Sequence, residues 1–228
     1  MIGPPALQET LFHADPTLDR AARLGIPVGL AVLFFLALYL PRPYTEFLLL
    51  GGLILAYLLP PAGKESVIPA GLLLGEPWWL IASSTLVMDL CCSLFVALNL
   101  DLVLRIPLLG PFVGRFMEGG QAFVKARPWL ERLSFVGLII FVIVPFQGSG
   151  GVNATILGRI LGMGIPGAVG CVLIGSAISS FGIALGAGTV LALFRQSPAL
   201  GAGALAAVAL AIVGLVYLWR RYLQYMRL

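Results

Sequence analysis

Charge is scarce in this chain: Lys, Arg, Asp and Glu together make up 11% of its 228 residues, roughly half the share of a soluble domain. Histidine is scarcer, with His13 standing alone in a polar N-terminal stretch, and the three cysteines (Cys91, Cys92 and Cys171) lie inside apolar runs. Without a second histidine or a fourth thiol there is no tetrahedral ligand set, so no metal is expected and the cysteines read as packing residues. No cofactor fingerprint and no catalytic constellation stands out, so neither an enzyme nor a bound cofactor is expected. No Lys/Arg cluster lies on a soluble face, so the formal charge of +4 does not point to nucleic acid. Residues 1–20 have neither a basic n-region nor a small-residue cleavage site, and no signal peptide is expected.

Apolar residues fill the space that charge leaves: 60% of the chain is hydrophobic, with mean hydropathy +1.03. That composition predicts an all-α polytopic membrane protein made of one membrane domain. Asp15-Pro16 supplies a capping carboxylate and a proline at the first helical position, opening a helix that leads into a spanning segment over 24–40. Further spanning helices are expected over 77–104, 165–194 and 199–218. Residues 105–132 are too polar to span and suit an interfacial amphipathic helix with Trp129 at headgroup depth, or a plain loop.

Two stretches break the pattern of long helices. Residues 133–163 hold an apolar arm ending at Pro145, a bend of Gly148, Ser149, Gly150 and Gly151, and a second short arm. Arms of about a dozen residues are too short for a hydrocarbon core of roughly 30 Å, and a Gly-rich polar bend cannot face lipid with its N–H and C=O groups unpaired. A re-entrant hairpin buried in protein satisfies both constraints. Residues 44–75 repeat the plan, with Pro60-Pro61 and Ala-Gly-Lys-Glu-Ser at the bend. Pro77 and Pro166, and likewise Gly75 and Gly164, are 89 residues apart, which suggests an inverted repeat of hairpin plus long helix.

Charge tests this topology. With both hairpins re-entrant, the termini and the 105–132 loop share a face that holds Arg20, Arg23, Arg105, Arg115, Lys125, Arg127, Arg132, Arg220, Arg221 and Arg227. Only Arg42 and Arg195 are left opposite, so the positive-inside rule predicts cytoplasmic termini. One spanning helix separates the hairpins, so they enter from opposite faces and their bends meet at the midplane, a layout of many secondary transporters.

Both second arms point a helix N-terminus at the bilayer centre, where free N–H groups and dipoles favour an anion. Lys64, Gln147, Gly148, Ser149, Gly150, Gly151, Asn153 and Arg159 are therefore the expected substrate-binding residues, for a lipid phosphate or a small anionic or amphiphilic guest. Glu65 and Asp89 are the expected deep carboxylates, coupling transport to a proton or sodium ion. The bland readings stay open: Glu65 as a cap or a partner of Lys64, Asp89 as a hydrogen-bond acceptor from neighbouring Ser or Thr hydroxyls, Arg159 as an anchor to lipid phosphate. Gly175, Ser179, Gly182, Gly186 and Gly188 read as a small-residue packing face.

The motifs GKESVIPAGLLLG, PLLGP with PWLE, and PFQGSGGVNATILGRILGMG resemble those of the small multidrug export family, grouped with the wider DedA superfamily. The resemblance covers 45–195. It implies opposed re-entrant hairpins in a plasma membrane of an archaeon or bacterium and, in several superfamily members, translocation or scrambling of lipids, including polyprenyl-phosphate carriers. Carried over by motif, Glu65 lies in the first hairpin's acidic motif and Arg159 in the second hairpin's arm. The expected partners are membrane lipids and the coupling ion, with a homo-oligomer open. Phosphate-lipid translocation, export of cationic amphiphiles and passive scrambling are the functions weighed.

Overall fold

A computed structural model describes residues 20–59, 62–100, 128–144 and 150–225, and every regular element among them is helical. In chain order these are α1 (Arg20–Tyr39), α2 (Tyr44–Leu58), α3 (Lys64–Leu73), α4 (Trp78–Leu98), α5 (Pro128–Ile143), α6 (Gly151–Ile160), α7 (Ile165–Gln196) and α8 (Pro198–Tyr225). The 105–127 part of the expected interfacial helix lies outside the described residues. Among the described residues, three helical stretches, Ala21–Leu38, Trp78–Leu98 and Ile165–Gln196, are long and apolar enough to cross a membrane. Their outer surfaces bear exposed large apolar side chains, among them Leu33, Leu173, Ile174 and Leu185, as a lipid-facing wall requires. The chain is a multi-pass membrane protein.

The short helices end where their sequences force them to. α3 stops at Gly75, whose φ of +93° only glycine adopts without strain, and α6 stops at Gly162 with φ of +84°. Each end carries the same bond: Glu76 N–H donates to the Gly71 carbonyl at 2.9 Å, and Met163 N–H to the Gly158 carbonyl at 3.0 Å. These equivalent positions are 87 apart, as are the helix starts Lys64 and Gly151, and Trp78 and Ile165. Pro77 and Pro166 are two residues further apart than these positions, because Pro77 caps α4 from outside whereas Pro166 sits inside α7.

Packing divides the apolar interior in two. One core joins α2, α3, α4 and α7 through Leu50, Val67, Ile68, Leu72, Leu80, Ile81 and Ala184. The other joins α5, α6 and α7 through Leu138, Val142, Ala154, Ala168, Cys171 and Val172. Close approach explains the glycines inside them: a Cβ on Gly71 would press on Ile81, and one on Gly158 on Ala168, the positions again 87 apart. Between the cores, α4 and α7 pack antiparallel along a polar seam, with Thr85 donating to Ser180 at 3.2 Å and Ser176 to Asp89 at 2.7 Å. Gly175 packs on Val142 as a small-residue face would. Gly182, Gly186 and Gly188, however, meet nothing within 4 Å of a built Cβ among the described residues, so that face is only partly used.

A buried ion pair where the short helices meet

Gly63 is the residue before α3, and Ser66 holds that turn by accepting the Gly63 N–H at 3.1 Å. This places Lys64 on the first helical residue with its side chain turned inward, 5% exposed. Its ammonium contacts Asp89 Oδ2 at 2.6 Å and donates to Ser176 Oγ at 3.0 Å and Ser179 Oγ at 2.9 Å. Three N–H donors thus meet three oxygens.

Asp89 lies eleven residues into α4, about 16 Å along its axis, and is 2% exposed. Its second oxygen, Oδ1, accepts the Tyr57 hydroxyl at 2.6 Å and the Gly151 N–H at 3.0 Å. With Lys64 and Ser176 on Oδ2, the carboxylate has four donors and the buried pair is fully satisfied. Gly151 opens α6, so Asp89 occupies the N-terminus of that helix as its anion. A Cβ at Gly151 would run into the Asp89 backbone carbonyl, so only glycine lets α6 come this close. Ser93 and Thr155, 2.6 Å apart, fasten the same two helices one turn further on. Lys64 against Ser176 and Gly151 against Asp89 are equivalent contacts of the two units, 87 residues apart at both partners.

The expected site residues divide accordingly. Lys64, Asp89, Gly150 and Gly151 converge; a Cβ on Gly150 would lie 3.5 Å from Asp89 Oδ1 and 3.7 Å from the Tyr57 hydroxyl. Glu65 and Asn153 are exposed. Glu65 does not pair with Lys64, whose carboxylate partner is Asp89. Arg159 lies about 12 Å along α6 from Gly151, where its Nη1 donates to the Met163 carbonyl at 2.9 Å. Gln147, Gly148 and Ser149 lie outside the described residues. Tyr57, Ser176 and Ser179 complete the cluster. The Ser176 bond to Asp89 is the hydroxyl contact that the sequence left open for this carboxylate, and Tyr57 is a polar-tipped ring in an apolar arm, which needs a partner if buried.

A second ionic contact closes the base of the α2–α3 unit. Arg42 Nη1 bonds Glu76 Oε2 at 3.1 Å and Glu46 Oε2 at 3.4 Å. Burial pushes the Glu76 carboxyl above its ordinary value, and the neighbouring guanidinium only partly offsets this.

No curated protein and no solved structure matches the chain. A family model does match residues 65–181, just over half of the chain, taking in Asp89, Gly151, Ser176 and Ser179 and starting directly after Lys64. By that match the chain belongs to the family described as "Putative small multi-drug export protein".

Proposed function

We propose that this chain is a secondary transporter, not an enzyme, and that it moves a phosphate-bearing lipid, a polyprenyl phosphate or a phospholipid, with H⁺ or Na⁺ as the coupling ion. The observation that carries this reading is the donor set around Asp89: the Lys64 ammonium, the Tyr57 and Ser176 hydroxyls and the Gly151 N–H converge on one carboxylate. Two helix N-termini, a lysine and hydroxyls are what a phosphate oxyanion seeks, and Asp89 fills the place as an internal anion. Protonating Asp89, or giving it another cation, releases those donors to an incoming phosphate. Ion and substrate occupancy are then linked by which state each one stabilises.

The matching caps, cores and contacts at 87 residues, with α4 and α7 antiparallel, support an inverted repeat whose hairpins enter from opposite faces. In this reading α2–α3 and α5–α6 are re-entrant, the termini are cytoplasmic in a bacterial or archaeal plasma membrane, and the family sits within the DedA superfamily. Membrane lipids are the partners. A second reading, export of small cationic amphiphiles bound at Asp89, draws on the family's description and on the burial of that carboxylate.

Reconstituted liposomes given labelled polyprenyl phosphate, labelled phospholipid or a cationic dye test the choice. The expected result is phosphate-lipid flux that a pH or Na⁺ gradient accelerates, with Asp89→Asn losing that acceleration at matched protein density. Dye flux with neither lipid moving would sink the lipid reading, and gradient-independent lipid flux in both proteins would leave passive scrambling.

A further inference from the structure

We propose that Asp89, Ser176 and Ser179 form a binding site for a compact monovalent cation, in which Lys64 sits as a tethered competitor. The three oxygens come from two different helices, Asp89 from α4 and both serines from α7, and surround one point at 2.6, 3.0 and 2.9 Å from the Lys64 nitrogen. Nothing in that arrangement requires the cation to be attached to α3. The carboxylate balances one positive charge, and both serines have oxygens turned to the same point while their own protons go elsewhere. Ser176 donates to Asp89 Oδ2, and Ser179 donates to the Ser176 carbonyl at 3.3 Å. All three residues are buried, at 2%, 0% and 4% exposure, so the seat is dry and its charge preference strong.

The seat also selects by shape. An ammonium group meets it with one N–H per oxygen, and a bare alkali ion can take the same oxygens as ligands. A quaternary ammonium has no N–H, and its methyl shell keeps oxygens from approaching the nitrogen this closely. The ligand is accordingly a free monovalent ion or the primary ammonium group of a larger molecule. An ion that takes the lysine's place on Asp89 leaves the Lys64 charge free to follow a phosphate. That use of the site rests on the transporter reading above, whereas the binding itself does not.

Thermal unfolding of the full-length protein in detergent provides the test, with choline chloride holding ionic strength constant. Lys64→Met keeps most of the stem and removes the ammonium. Its unfolding midpoint is expected to rise saturably with NaCl or NH₄Cl and not with tetramethylammonium chloride. The wild type is expected to need at least about tenfold more ion for the half-effect, because the ion must first displace Lys64. Lys64→Met/Asp89→Asn is expected to be indifferent to all of them. In Lys64→Ala, propylammonium replaces the deleted atoms one for one and is expected to restore the midpoint; if it does so where Na⁺ and NH₄⁺ do not, the ligand is a primary ammonium group rather than a free ion.

Three results overturn the site: a Lys64→Met protein indifferent to Na⁺ and NH₄⁺ together with a Lys64→Ala protein indifferent to propylammonium, a double variant that responds like the single one, or a wild type that responds at the same concentration as Lys64→Met. Should Lys64→Met not accumulate as folded protein, the Lys64→Ala arm decides by itself, and failure of propylammonium to recover folded protein counts against the site. No transport is measured, so a negative result leaves lipid flux standing, and absent flux leaves the binding result standing.

Discussion

Two charges removed from water at Asp89 and Lys64 are stabilised only because each hydrogen-bonding position is filled, four on the carboxylate and three on the ammonium. Such a pair adds little over a well-packed apolar replacement, yet loss of one member leaves the other uncompensated. Lys64→Met and Asp89→Asn are each expected to cost about 3 kcal/mol of unfolding free energy, the low end for a broken buried pair, because the hydroxyls around the remaining partner still bond it. Lys64→Met/Asp89→Asn is expected to cost clearly less than the two single changes added together, with a coupling of at least about 1 kcal/mol. Denaturant titration of the three variants in detergent measures this, and strictly additive costs would show that the two side chains do not act as a pair. Asp89 was legible as a deep carboxylate, since it falls mid-way along an uninterrupted apolar run. Its partner was not, because Lys64 and Asp89 belong to different helices and only their convergence joins them. Nothing singled out Ser176 or Ser179 as the hydroxyls concerned, for the same reason: a serine in a long Gly- and Ala-rich helix reads as packing until something charged is brought against it.

At the scale of elements, the punctuation of the chain was readable and the distances between its marks were not. The sequence predicts two short arms around a break in each unit. The described helices α2 and α3, and α5 and α6, lie on either side of Pro60-Pro61 and of 145–149, because proline and glycine runs interrupt a helix; α5, however, begins at Pro128, five residues before the expected arm. Pro77 and Pro166 are 89 apart while the helix starts that follow Gly63 and Gly150, and Pro77 and Gly164, are 87 apart, because a proline serves equally well just outside a helix, at Pro77, and within its first turn, at Pro166. The glycines, too, look alike in sequence and differ in what surrounds them. Gly151 lies against the Asp89 backbone carbonyl, which cannot move aside without unravelling α4. Gly182, also helical, is exposed with nothing within 4 Å of a built Cβ. Gly151→Ala is therefore expected to lower the unfolding midpoint, at a cost of about 1–3 kcal/mol for forced overpacking. Gly182→Ala is expected to be neutral or to stabilise by up to about 1 kcal/mol through its helix propensity. Equal effects in a paired thermal-unfolding measurement would mean that α6 does not approach α4 as closely as described.

For the molecule as a whole, the question is how the eight helices of the described residues are distributed across a bilayer. At 1.5 Å per residue, α4 is about 31 Å long and α7 about 48 Å, enough to cross, whereas α3 and α6 at about 15 Å reach only half-way. α2 and α5, at about 22–24 Å, also fall short of a roughly 30 Å core. If α2–α3 and α5–α6 each enter and leave by one face, the short helices begin deep and the Lys64–Asp89 pair lies near the midplane, shielded by protein as a buried charge there must be. If α2 and α5 instead cross fully, the basic residues of the termini and of the 105–132 loop divide between both faces, against the positive-inside bias. The two arrangements differ in a measurable way. With Cys91, Cys92 and Cys171 replaced, single cysteines at positions 17, 120 and 226 are expected to react with a membrane-impermeant maleimide only from the cytoplasmic side. Cysteines at positions 43 and 197 are expected to react only from outside. Positions 43 and 197 flank opposite units, before α2 and after α7, so the whole set cannot come out this way unless each unit returns to the face it entered. Labelling of 120 and 197 from the same side would break the opposed-hairpin arrangement, and the midplane position of the Lys64–Asp89 pair with it.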